Sequence, residues 1–224
     1  LIDQKIVDLT MHYEQYRQGM EWIPCLKSAI QDNKINDLNN LDLNGLPEVN
    51  LNDVKLLPVI PNPGKIFCIG LNYENHRAET KRPVSSYPTI FTRFPDSQTG
   101  HNTKIICPKV SDRLDYEGEM AIIIGKSGRY IDENSAMQHI AGYACYNDAT
   151  VRDWQKHTSQ FIPGKNFNKT GPPFVILVYL LTPSPTSTPN FRPTVWVFIS
   201  VCVNQRVSSS GPSNVRLKSL RALI

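Results

Sequence analysis

Asp115-Tyr116-Glu117-Gly118-Glu119-Met120-Ala121-Ile122-Ile123-Ile124-Gly125 is the stretch on which the reading of this chain turns. Alternate side chains of a strand share a face, so Glu117 and Glu119 point the same way with Cα atoms about 6.5–7 Å apart. Two carboxylates held side by side repel, and a hard divalent cation relieves the repulsion by taking an oxygen from each. Taken alone, the pair is more simply explained as two solvated acids on a half-exposed strand. The wholly apolar run that follows argues instead that this strand enters a core.

Outward from that strand the chain reads as short strands separated by turns. Lys65–Gly70, Thr89–Arg93, Lys104–Cys107, Glu117–Gly125 and His139–Tyr146 carry strand patterns. Helical spacing is found from Met11 to Ile30, and shorter helical pieces are predicted at Tyr73–Lys81, Asn134–Gln138 and Asp148–His157. Asp32–Asp53 reads as loop with short elements, and Pro58, Pro61 and Pro63 place a boundary near residue 60. Many short strands with few long helices predict a β-rich α+β fold, a sandwich or barrel rather than a doubly wound sheet. There is no Gly-x-Gly-x-x-Gly and no P-loop, which argues against a dinucleotide or nucleoside triphosphate site.

Three further groups could carry chemistry. Asp148, in NDATVRDWQ, follows a strand-like segment and could bring a third carboxylate to the same cation, with Arg152 and Gln155 sharing one face of the turn behind it. An arginine there suits an anionic substrate; as alternatives, Asp148 caps a helix and Arg152 pairs with a surface acid. In GLNYENHRAE, His76 and Glu79 lie one helical turn apart, and a carboxylate-oriented imidazole is a suitable base for activating water. An exposed polar pair explains them equally. Lys165 follows Gly164 in a loop and could approach a substrate oxygen, although a solvated loop lysine is the commoner case.

Composition bounds the remaining possibilities. The 224 residues are 40% hydrophobic and 20% charged, with a formal charge of +4. That is ordinary globular composition, and the charge is too small to imply a nucleic-acid partner. Its distribution is uneven. Residues 1–153 hold 16 basic and all 20 acidic residues, whereas residues 154–224 hold eight basic residues and no acid. The five scattered cysteines include no Cys-x-x-Cys pair, which predicts a reducing, cytoplasmic setting without a disulfide scaffold. No apolar run approaches the ~20 residues of a membrane helix, and the N-terminus lacks a signal-peptide layout.

Taken together, PGKIFCIGLNY…H..E, P.IF, DYE.EMAIIIGK.GR.I, AGY….ND…RD.Q and GK.F resemble the fumarylacetoacetate hydrolase family over Pro61 to Gly171. The resemblance implies a mixed β-sandwich roll, usually dimeric, with a divalent metal in a carboxylate cage, Mg2+ first and Mn2+ or Ca2+ as alternatives. It places Glu117, Glu119 and Asp148 on that metal. It makes His76 and Glu79 the water-activating pair and Lys165 an electrophilic partner, and it puts Tyr73, Arg152 and Gln155 against the substrate. The implied substrates are small anionic acylpyruvates, β-dicarbonyl acids or 2-oxo dicarboxylic acids. The implied reactions are hydrolysis or isomerisation through a stabilised enolate, with oxaloacetate decarboxylation or tautomerisation as an alternative. No membrane or nucleic-acid partner is expected.

After Gly171 the resemblance stops: the Val-Asn-Gly-Glu hairpin and the Gly-Thr-Pro segment of the family have no counterpart, and Lys169 stands where a threonine is usual. Three parts are therefore expected, a small helical and loop segment at 1–60, a catalytic core at 61–171, and a divergent tail at 172–224 that could be an out-of-frame reading. An incomplete roll would leave open edges beside VILVYLL and VWVFISVCV, with low solubility or lost activity as the consequence. Two rival readings accompany this one. In the first, the chain is an inactive or truncated member that keeps only metal binding. In the second, Arg206, Arg216, Lys218 and Arg221 form a basic arm for nucleic acid or an anionic surface.

Overall fold

A computed structural model describes residues 5–17, 22–32, 34, 40–73, 77–78, 81, 83–171 and 196–200. Its centre is a five-stranded mixed sheet in the spatial order β4-β3-β9-β6-β7. The strands are β3 (Lys65–Gly70), β4 (Thr89–Arg93), β6 (Gly118–Ile124), β7 (Ile140–Asn147) and β9 (Trp196–Ser200). β3–β4 and β6–β7 are antiparallel pairs of near neighbours in sequence, and β9 joins them, parallel to β3 and antiparallel to β6. Trp196–Ser200 is therefore paired on both sides, and the open edge expected at VWVFIS does not occur there. VILVYLL lies outside the described residues.

The period-two pattern explains which face each strand buries. Ala121 and Ile123 of β6 join Ile66, Cys68, Phe91, Ala144 and Tyr146 in the larger core. Ile122 and Ile124 face the other way and pack with Ile140, Phe67, Met120 and Tyr143. The Ala-Ile-Ile-Ile run is continuous because both faces of β6 are covered. Ile60 belongs to the larger core, and Ile30 and Val59 pack against it, so segments before residue 61 seal one side of the sheet.

Smaller elements surround the sheet. A two-stranded antiparallel sheet joins β1 (Lys5–Val7) to β2 (Glu48–Asn50), and a second joins β5 (Leu114–Asp115) to β8 (Thr150–Val151). The helical spacing from Met11 to Ile30 resolves into two helices, α1 (Thr10–Arg17) and α2 (Trp22–Gln31). Pro24 lacks an amide proton and fits only a first turn, which is where α2 places it. The carboxylate of Asp8 caps α1 by accepting from Thr10 N at 2.8 Å.

Three other expectations change. Lys104–Cys107 forms no strand; its tie is one bond from Ile106 N to Lys169 O, and Pro108 cannot extend a ladder. Asp148–His157 divides into β8 and the single-turn α3 (Arg152–Gln155), and the piece near Asn134–Gln138 is a 3-10 turn at Ala136–His139. Of Tyr73–Lys81, Arg77 and Ala78 are helical and Arg77 N donates to Tyr73 O. No described helix is long and apolar enough to cross a membrane.

Candidate functional site

The site grows from the register of β6 and β7. Glu117 immediately precedes β6, and its backbone is locked to the end of β7. Glu117 N donates to Asn147 Oδ1 at 3.0 Å, and Asp148 N donates to Glu117 O at 2.8 Å. Glu119 lies two residues on, in the same strand phase, opposite Tyr146. All three predicted carboxylates are buried, with Glu117 at 1%, Glu119 at 7% and Asp148 at 0% exposure.

Lys165 enters this pocket from α4 (Ile162–Lys165) and is wholly buried. Its ammonium donates to Glu117 Oε2 at 2.6 Å, Asp148 Oδ2 at 2.7 Å and Asp148 O at 2.7 Å, which uses all three protons. The Phe91 ring lies 5.4 Å from Nζ and closes the apolar side. Gly164, which precedes Lys165, is required by close packing. A Cβ on Gly164 would stand 2.5 Å from Gln155 N, so only glycine lets α4 press against α3.

Arg152 and Gln155, at either end of α3, meet on one face as their spacing predicts. Arg152 Nη1 donates to Glu117 Oε1 at 2.6 Å and to Gln155 Oε1 at 3.2 Å, and Nε donates to Asp115 Oδ2 at 2.8 Å. Arg152 is the half-exposed member and marks the mouth of the site. Tyr73 is half-buried in the turn after β3. His76 and Glu79 lie outside the described residues.

Sequence reasoning passed over Arg93. It ends β4, and its side chain is fully buried against Asp148, with Nη1 2.7 Å from Oδ1. The visible sign was its phase: Phe91 and Arg93 alternate onto the same inward face, where a charged residue needs a buried partner. Asp115, which tethers Arg152, was also missed.

Burial leaves its mark on neighbouring groups. The Cys68 thiol is pushed well up from its ordinary range, first by burial and then by the charge of Asp148. Burial likewise pushes the Tyr146 phenol up, against the opposing charge of Arg93.

The cluster offers hard oxygen donors. With every group ionised, Asp115, Glu117, Glu119 and Asp148 outweigh Arg93, Arg152 and Lys165 by one negative charge. That chemistry fits a hard divalent cation. Among the described residues, however, no three His, Cys, Asp or Glu side chains gather about one point. The ammonium of Lys165 takes the position between Glu117 and Asp148 and draws one oxygen from each. Lys165 thus stands where a bound cation would be shared by those two carboxylates.

The profile described as "Fumarylacetoacetate (FAA) hydrolase C-terminal" matches residues 65–213, well past Gly171. The chain is 37% identical, over 77% of its length and 56% of the relative's, to fumarylacetoacetate hydrolase domain-containing protein 2 homolog of Dictyostelium discoideum. It is 42% identical to oxaloacetate tautomerase YisK of Bacillus subtilis (strain 168), over 58% of this chain and 44% of that one. It therefore spans about half the length of the curated relatives it matches. Its fold resembles maleylpyruvate hydrolase from Sphingobium sp. SYK-6, solved in complex with manganese(II) ion and pyruvate. The TM-score is 0.60 at 24% identity, covering 77% of this chain and 60% of that one.

Proposed function

Because the chain belongs to the fumarylacetoacetate hydrolase family, we propose that it is a divalent-metal-dependent hydrolase or isomerase of small 2-oxo or β-dicarbonyl acids, working through an enolate. One observation carries this reading: a buried ammonium held between two buried carboxylates, with an arginine at the mouth. Buried ions of this density are costly in a purely structural role and are common where charge must be managed during a reaction. The Bacillus relative, 42% identical, is named an oxaloacetate tautomerase, and oxaloacetate is an enolisable 2-oxo acid.

Glu117, Glu119 and Asp148 would hold the cation, Mg2+ or Mn2+. Such a cation supplies Lewis-acid stabilisation of negative charge developing on substrate oxygen. The protein's own groups do the remainder. Arg152, with Gln155 against it, receives the substrate carboxylate at the half-exposed mouth, and Tyr73 flanks that approach. Lys165, wholly buried, presents its ammonium to the carbonyl oxygen once one of its bonds to Glu117 and Asp148 is released. In hydrolysis, His76 oriented by Glu79 takes a proton from water while the water oxygen adds to the distal carbonyl carbon. The C–C bond then breaks, its electron pair passes into the enolate, and the proton held by His76 is delivered to the enolate carbon that departed. In tautomerisation, a proton leaves one substrate atom and returns to another, and no bond to water forms. General-base assistance of this kind is worth about 10²–10⁴ in rate.

The same reading takes the complete fold to be a sandwich roll, assembled as a homodimer. A cytoplasmic setting suits the free thiols of Cys68, Cys107 and Cys145. The deciding experiment is turnover of acylpyruvates and oxaloacetate with Mg2+ or Mn2+, repeated with Glu119→Gln. Metal-dependent turnover of either substrate class, lost in the variant, is expected. Bound metal with no turnover of any 2-oxo acid would favour a binding-only member and sink the enzymatic reading.

A further inference from the structure

We propose that Arg93 is a positioning residue that selects which oxygen of Asp148 faces the site and thereby sets the site's affinity for a divalent cation; this rests on the metal-dependent reading above. The guanidinium is fully buried and its donors are spread over three pieces of chain. Nε donates to Ser97 Oγ at 3.2 Å, Nη1 to Asp148 Oδ1 at 2.7 Å and Ala149 O at 2.9 Å, and Nη2 to Thr170 Oγ1 at 3.2 Å. The Tyr146 ring lies 5.9 Å from the guanidinium carbon. Gly171 packs so closely that a Cβ there would fall 2.5 Å from Nη2.

This anchoring makes the fork rigid, and its rigidity is passed to Asp148. Oδ1 is committed to Arg93, so Oδ2 alone turns toward the point where Lys165 Nζ now sits. An aspartate free to rotate would present either oxygen, or both, at varying angles. A lysine at position 93 would keep the positive charge beside Asp148 but would lose the planar fork that spans Ser97, Asp148 and Thr170. Charge and orientation can therefore be separated experimentally.

The test is Mn2+ titration of the full chain, with free Mn2+ read by electron paramagnetic resonance, for wild type, Arg93→Lys and Asp148→Asn. Thermal midpoints are recorded alongside. Arg93→Lys is expected to remain folded and to bind Mn2+ about 10–100-fold more weakly, as for other residues that orient a metal ligand. A purely structural staple would lower the midpoint and leave the Kd of the folded protein unchanged. If Arg93→Lys does not fold, Ser97→Ala and Thr170→Ala each remove one anchor of the fork and should raise the Kd in the same direction. An unchanged Kd in whichever variants fold, with binding lost in Asp148→Asn, overturns this inference alone. Failure of wild type to bind Mn2+ overturns it together with the metal-dependent reading.

Discussion

Replacing Lys165 with methionine removes the positive partner of two buried carboxylates while keeping an unbranched chain of similar length. In the native arrangement all three ammonium protons are used, on Glu117 Oε2, Asp148 Oδ2 and Asp148 O, at 2.6–2.7 Å. Removing one member of a buried ion pair costs about 3–5 kcal/mol, because the remaining charge is left desolvated. Asp148 keeps Arg93 and Glu117 keeps Arg152, so both carboxylates retain one partner and the lower end of that range applies. For a chain of this size, about 3 kcal/mol corresponds to a drop in Tm of roughly 6–12 °C. Urea and thermal unfolding of metal-free Lys165→Met at pH 5 and pH 8 is the assay. Saturating Mn2+ should restore part of the stability. A deficit under about 0.5 kcal/mol, within the range of an ordinary surface substitution, would refute the idea that Lys165 neutralises this cluster.

Other outcomes follow from the same geometry. Gly171→Ala forces a Cβ to within 2.5 Å of Arg93 Nη2 and 2.7 Å of Tyr146 OH, and should cost about 1–3 kcal/mol in chemical denaturation. Cys68 and Tyr146 are both held protonated in the folded state, so the stability this adds is present below the unfolded values of 9.0 and 10.0 and is lost as pH rises past them. Tm should accordingly fall from about pH 9 upward, and Cys68→Ala should delay the fall by about one pH unit. Arg152→Gln should raise KM for a 2-oxo acid at least ~10-fold with a smaller change in kcat, the pattern of a lost binding contact. Ile199→Pro removes a ladder donor from β9 between Cys68 and Ala121, and should abolish cooperative unfolding.

The strands most legible in the sequence were those whose apolar pattern was settled locally. Lys65–Gly70 and Thr89–Arg93 form with the expected bounds, and the Glu117–Gly125 pattern becomes Gly118–Ile124. The helical spacing from Met11 to Ile30 is realised as Thr10–Arg17 and Trp22–Gln31, with Pro24 in the first turn of the second helix. Glu117, Asp148, Arg152, Gln155 and Lys165 sit in three short motifs legible in the sequence, and folding brings those motifs into contact. Arg93 was missed because a charged strand-end residue normally reaches solvent, and only the neighbouring strands show that this one cannot. The position of Trp196–Ser200 was illegible for a different reason. Its β-prone pattern was plain, but its partners lie more than 70 residues away, and no local rule specifies such a pairing.

That central strand also bears on how the protein emerges during synthesis. The β3–β4 and β6–β7 pairs can each close as soon as their own residues are available, but the strand that welds them is complete only 53 residues after Asn147, at Ser200. At about 5–20 residues per second, a ribosome needs roughly 3–10 seconds to supply it. Throughout that interval the nascent chain holds two half-sheets with bare inner edges. The last described strand is then a keystone, and the wait before it arrives is the period of greatest exposure to chaperones and to misassembly.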